Sequence, residues 1–130
     1  MTLYAMTHSD RIKAGVAVAP VTNWHDYDSI YTERYMGLPN DNESGYADSS
    51  PVNAAKTLSG RLLEVHGTSD DNAHFQNTIQ MIRAMINAGK QFDLQLYPGR
   101  THGISDRADR VQLFHRIQWQ FEHYLMPAGQ

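Results

Sequence analysis

Asp70 and His102 are the residues of this chain best suited to acid–base chemistry. Asp70 lies in the stretch HGTSDDN, residues 66–72, and His102 follows 32 positions later in RTHGIS, residues 100–105. A carboxylate beside a histidine fixes the ring tautomer and stabilises the imidazolium formed when the ring takes a proton. The chain order, acid before histidine, is that of α/β-hydrolases, where a serine nucleophile precedes both in a Gly-x-Ser-x-Gly turn. None of the eight serines here (Ser9, Ser29, Ser44, Ser49, Ser50, Ser59, Ser69, Ser105) has glycine both two positions before and two positions after it. The expected position of the nucleophile is therefore upstream of Met1.

Other readings of these residues stand beside this one. Asp and Asn at a strand–helix junction serve as helix caps, and His-Gly is an ordinary turn. His66, Asp70, Asp71, His74 and His102 would suffice on paper for a metal, although no HExxH or paired-histidine helix motif is present.

The elements flanking these loops predict an α/β fold with a parallel sheet. Residues 12–19 (IKAGVAVA) and 62–65 (LLEV) are short apolar runs suited to strands buried on both faces. Phe92, Leu94 and Leu96 alternate with Asp93, Gln95 and Tyr97, the pattern of an edge strand with one drier face. Phe75, Ile79, Ile82 and Ile86 recur at helical spacing, with Met81 and Met85 widening the stripe, Asn72 or Asp71 as the cap and Gly89 as the stop. Val111, Phe114, Ile117, Phe121 and Leu125 mark the expected apolar face of a last helix. Residues 1–6 (MTLYAM) read as the tail of a helix that begins earlier. Residues 20–60 form a long aromatic, polar insert, expected to be irregular apart from short helical segments at 24–35 and 50–55, and irregular stretches of this length are often functional. Trp24, Tyr27, Tyr31 and Tyr35 fall on one stripe of such a helix, either as core or as the wall of an apolar pocket. In such sheets chemistry gathers at the carboxyl ends of the strands, where Asp70 and His102 would lie on neighbouring loops. Three strands make a small sheet, so the chain is expected to be the second half of a larger domain, marginally stable alone because of an unpaired sheet edge.

Composition narrows the classes. The 130 residues suit one domain, and 41% hydrophobic with 19% charged residues suits a globular one. The net charge of −3 and the lack of a basic run give no support for a nucleic-acid partner. No apolar stretch approaches the roughly 20 residues of a membrane span, and the N-terminus lacks a signal-peptide pattern. The absence of cysteine excludes disulfides and a thiol nucleophile.

The stretches VAVAPVTNWHDYDSIYTERYMGLP, HGTSDDNAHFQ and THGI together resemble the dipeptidyl peptidase IV branch of the prolyl oligopeptidase family of serine peptidases. The resemblance covers nearly the whole chain. It implies the C-terminal portion of an α/β-hydrolase catalytic domain, residues 1–130, with the serine turn and a β-propeller outside it. It implies Asp70 as the triad acid, His102 as the general base and Asn72 as a donor to a substrate carbonyl. Val21, Trp24, Tyr27 and Tyr31 match the pocket for a penultimate proline, whose compact ring has no N–H to satisfy. Ala73 stands where a related member has valine, which would leave that pocket roomier. The implied substrate is a peptide with Pro or Ala in the penultimate position, with no metal or organic cofactor and with homodimers formed through this domain, residues 111–125 contributing. The isolated chain, lacking the serine, is expected to be inactive. A non-catalytic remnant or binding module, an acylaminoacyl peptidase and an esterase remain alternatives. The cellular address is left open; a periplasmic, secreted or membrane-anchored parent all accord with the resemblance.

Overall fold

The computed structural model describes residues 1–126. Three parallel strands, β1 (Ala14–Val18), β2 (Arg61–Gly67) and β3 (Asp93–Tyr97), lie in the order β1-β2-β3. Helix α1 (Thr2–His8) precedes β1. Helices α2 (Ser29–Met36) and α3 (Glu43–Ser49) occupy the insert, α4 (Gln76–Asn87) connects β2 to β3, and α5 (Arg107–Leu125) follows β3. The parallel sheet flanked by helices is the α/β class expected from the alternation of elements.

Side chains of a strand point alternately to the two faces of its sheet, and β2 shows how this builds two cores. Leu62 packs with Leu3, Met6, Ala17, Leu58, Met81 and Met85, joining α1 and α4 on one face. Leu63 and Val65 pack with Tyr97, Ile104 and Leu113 on the other, under α5. Each such buried aliphatic side chain contributes roughly 1.5–3 kcal/mol. Gly15 lets α1 lie directly on β1, because a Cβ there would collide with Met6 and approach Thr2 Cγ2 to 2.9 Å.

Several local expectations are corrected. The expected helix over 24–35 is two pieces, a 3₁₀ turn at Trp24–Asp26 and then α2. Asp28 starts the second piece by accepting from the N–H groups of Ile30 (2.8 Å) and Tyr31 (3.4 Å). The insert is not irregular, since α3 and a 3₁₀ segment at Pro51–Thr57 complete it. Neither Asp71 nor Asn72 caps α4; a turn over residues 71–75 comes first and α4 starts after Phe75 without a side-chain cap. The buried face of α4 is Asn77, Thr78, Met81 and Met85, whereas Ile79 and Ile86 are exposed. Asn77 explains this rotation: its Oδ1 accepts from Thr22 N–H (2.9 Å) and Asn23 N–H (3.2 Å), tying α4 to the chain leaving β1. The expected apolar face of α5 is also displaced, with Val111, Phe114, Phe121 and Leu125 exposed and Leu113 and Gln120 buried. Gln120 donates to the carbonyl oxygen of Arg61 at 3.3 Å, which turns this face inward. On the edge strand β3 it is Tyr97, from the expected wetter face, that is buried, while Leu94 is exposed.

Candidate active site

Asp70 and His102 meet because the loops after β2 and β3 are zipped together. In register, Gly67 lies opposite Tyr97. Beyond the strands, Thr68 N–H donates to Tyr97 O (3.1 Å), Ser69 N–H to Arg100 O (3.0 Å) and Gly99 N–H to Thr68 Oγ1 (2.8 Å). Gly67 permits this approach, since a Cβ there would collide with the carbonyl of Arg100 and come within 2.8 Å of that of Thr101. Arg100 pairs with Asp109 and lies 3.7 Å from Asp106, the residue that caps α5 by accepting from Ala108 N–H at 2.9 Å. Two residues beyond His102, buried Ile104 is held at φ 41°, a left-handed conformation that a β-branched residue rarely adopts. Its place in the core under α5 fixes the far end of the histidine loop.

The result is a hydrogen bond of 2.9 Å between His102 Nδ1 and Asp70 Oδ2. The Asp70 side chain is fully buried and that of His102 is 48% exposed. Among the described residues His102 Nε2 has no hydrogen-bond partner and is open to an incoming group. Asp70 is held from every side. Its Oδ1 accepts from the N–H groups of Asn72 (2.9 Å) and Ala73 (3.0 Å), and its Oδ2 also accepts from His66 Nε2 (3.1 Å). Burial pushes the Asp70 carboxyl up. The hydrogen bonds from His102 and the Asn72 N–H, with the electrostatic attraction of the His102 and His66 rings, outweigh that and hold it below the ordinary carboxylate range. An ionised acid on Nδ1 and a free Nε2 are what a general base needs.

The remaining residues singled out in the sequence are only partly gathered around this pair. Tyr27 Oη donates to Asn72 Oδ1 at 2.9 Å, linking the aromatic insert to the Asp70 loop. Tyr27 and Asn72 border an opening of about 350 Å³ together with Asp26, Asp28, Asp71 and His74. Val21 and Trp24 instead border a larger, mostly apolar cavity of about 490 Å³ against α1 and β1. The rings nevertheless form one cluster, edge-to-face for Trp24–Tyr27 (centroids 6.0 Å apart) and Tyr27–Tyr31 (5.7 Å) and tilted for Tyr31–Tyr35 (5.0 Å). The break between the 3₁₀ turn and α2 does not interrupt it. Tyr31 borders neither opening, and Ala73 is buried, its carbonyl accepting from His66 Nε2 at 2.8 Å. Of the five metal candidates, His66 and His102 both reach Asp70, but no group of three or more potential ligands forms among the described residues.

Two buried residues escaped the sequence reading. Glu64 and Thr78 are fully buried behind His66, and burial pushes the Glu64 carboxyl up to about 8. The one signal was a glutamate in the middle of an apolar strand.

The model of the prolyl oligopeptidase family matches residues 1–127. Dipeptidyl peptidase 4 of Bos taurus is 46% identical over 105 residues, 78% of this chain and 14% of that protein. Venom dipeptidyl peptidase 4 of Apis mellifera is 42% identical over 97 residues, 72% of this chain and 12% of that protein. The crystal structure of Porphyromonas gingivalis dipeptidyl peptidase 4 superposes with a TM-score of 0.88 at 41% identity, covering 95% of this chain and 18% of that one. The chain thus spans about 10–14% of the length of the curated relatives it matches.

Proposed function

The chain belongs to the prolyl oligopeptidase family, and from that premise we propose that it carries the acid and the base of a serine peptidase of the dipeptidyl peptidase type. The observation behind this reading is the 2.9 Å contact between buried Asp70 and open His102 across two adjacent strand ends. A serine supplied from outside these 130 residues attacks the carbonyl carbon of the scissile bond. His102 Nε2 takes the serine proton and then gives it to the leaving amine, while Asp70 holds Nδ1–H and stabilises the imidazolium. A water molecule repeats the sequence on the acyl-enzyme and releases the dipeptide. Asn72 donates to a substrate carbonyl, and the aromatic cluster of Trp24, Tyr27 and Tyr31 with Val21 receives a penultimate proline or alanine. The likeness to proteins named dipeptidyl peptidase 4 supports this substrate class.

The test is hydrolysis of a Gly-Pro chromogenic substrate by the full-length product of the gene. Release of the chromophore that is lost in His102→Ala and in the presence of a serine-directed phosphonate is expected. Cleavage that survives His102→Ala, or a preference for acylated amino acids or simple esters over Gly-Pro, would reject the reading.

A further inference from the structure

We propose that Glu64, Thr78 and His66 form a buried relay that positions Asp70 and, through it, the ring of His102, with Glu64 as its proton-bearing end. The proposal rests on the peptidase reading of Asp70 and His102. Glu64 Oε1 lies 3.0 Å from Thr78 Oγ1, and Thr78 Oγ1 lies 2.8 Å from His66 Nδ1. His66 Nε2 lies 2.8 Å from the Ala73 carbonyl oxygen and 3.1 Å from Asp70 Oδ2. The same Oδ2 holds His102 Nδ1. Glu64, His66 and Thr78 are each inaccessible to solvent.

Proton counting sets the direction of this row. A carbonyl oxygen can only accept, so His66 Nε2 carries a hydrogen. That hydrogen serves both Ala73 O and Asp70 Oδ2. In the neutral ring Nδ1 then accepts, and the donor facing it is the Thr78 hydroxyl. Thr78 has one hydrogen, so its oxygen must accept from Glu64, which requires a protonated carboxyl. A second observation agrees. Among the described residues Glu64 Oε2 has no hydrogen-bond partner, and an ionised carboxylate with a bare buried oxygen is costly. Among the described residues Glu64 has no counter-charge to offset this. Its neighbours across the sheet are Ala17 and Leu94, and α4 turns Asn77, Thr78, Met81 and Met85 inward. The titratable groups connected to Glu64 are therefore His66 and, beyond it, Asp70.

The function follows from what happens if the row is broken. Once Glu64 is ionised, Thr78 turns its hydrogen to the carboxylate. His66 Nδ1 is then either left bare or protonated, which sets a cation against Asp70. A bare Nδ1 frees the ring that carries the Nε2–H donor to Asp70 Oδ2, and a protonated one turns that donor into a cation. Phe75 packs edge-on to the His66 ring at 5.5 Å and limits its freedom to turn away. His66, Thr78 and Glu64 touch no reacting atom, so they are positioning residues.

The experiment uses the full-length product of the gene and two readouts. In the pH profile of kcat/KM on a Gly-Pro substrate, the wild type is expected to show an inflection near pH 8 that is absent in Glu64→Gln. A glutamine cannot ionise but can still donate to Thr78. Thr78→Val is expected to lower kcat about tenfold with KM little changed, and Thr78→Ser to restore it. Superimposable profiles for wild type and Glu64→Gln, or full activity in Thr78→Val, overturn the relay. Should the product cleave no dipeptide substrate at all, the peptidase reading fails and the relay is judged by ¹⁵N-histidine NMR of the wild type. There His66 is expected as the Nε2–H tautomer, with ring shifts that move near pH 8. An Nδ1–H tautomer, or shifts insensitive to pH in that range, overturns it without any variant.

Discussion

Replacing Asp70 by asparagine changes one atom, and the structure shows why no orientation of the new side chain is harmless. All four partners of the Asp70 carboxylate are donors: Asn72 N–H and Ala73 N–H on Oδ1, and His66 Nε2–H and His102 Nδ1–H on Oδ2. An amide offers one accepting oxygen and one donating nitrogen. If its oxygen faces the backbone, its NH₂ meets two ring N–H groups; if flipped, it meets two backbone N–H groups. His66 cannot escape by changing tautomer without abandoning the Ala73 carbonyl. His102 can, because its Nε2 has no competing partner among the described residues. The ring is therefore expected to move its hydrogen to Nε2 and accept at Nδ1 from the new amide. In that tautomer Nε2 cannot take a proton from serine. Turnover should fall by about 10⁴, the loss measured for the same change in a chymotrypsin-type protease. The remaining donor–donor contact should cost roughly 1–3 kcal/mol of stability. Steady-state hydrolysis by the full-length product, with thermal melting alongside, measures both. Turnover within tenfold of wild type in a folded Asp70→Asn protein would refute the reasoning.

Three further outcomes follow from the same geometry. The folded value of Glu64, about 8, lies above its ordinary 4.5, so the folded protein binds a proton that the unfolded chain has lost; stability is full below about pH 4.5 and declines as pH rises to about 8, by roughly 5 kcal/mol in all. Urea unfolding at pH 5 and pH 8 should show this decline in wild type and not in Glu64→Gln, and parallel behaviour of the two proteins would contradict it. Gly67→Ala would push the Arg100–Thr101 backbone away from β2, so a loss of roughly 1–3 kcal/mol with a larger fall in kcat than in melting temperature would suggest is expected; wild-type kinetics in that variant would show that the close approach does not set the His102 position. Tyr27→Phe removes the donor to the exposed Asn72 side chain, and should raise KM for a Gly-Pro substrate severalfold while changing stability by less than about 1 kcal/mol; an unchanged KM would separate Asn72 from substrate binding.

The contrast between what the sequence disclosed and what it hid has a physical basis. The sheet was legible because β1 and β2 are apolar runs separated from β3 by a helical period, and that order admits few topologies. The meeting of Asp70 and His102 was legible for the same reason, since each follows a strand and parallel neighbours end together. The faces of α4 and α5 were not. In each helix a buried polar residue decides the rotation, Asn77 through the Thr22 and Asn23 backbone and Gln120 through the Arg61 carbonyl, and hydrophobic spacing counts such residues as surface. Glu64 and Thr78 were hidden more deeply, because their significance lies in hydrogen bonds between a strand and a helix 14 positions apart. His66 shows the limit best. In the sequence it is one more ligand-type residue next to an aspartate, equally suited to a metal or a turn. Only the placement of a carbonyl acceptor on Nε2 and a hydroxyl on Nδ1 makes it a donor to Asp70, and so part of what determines how His102 is held.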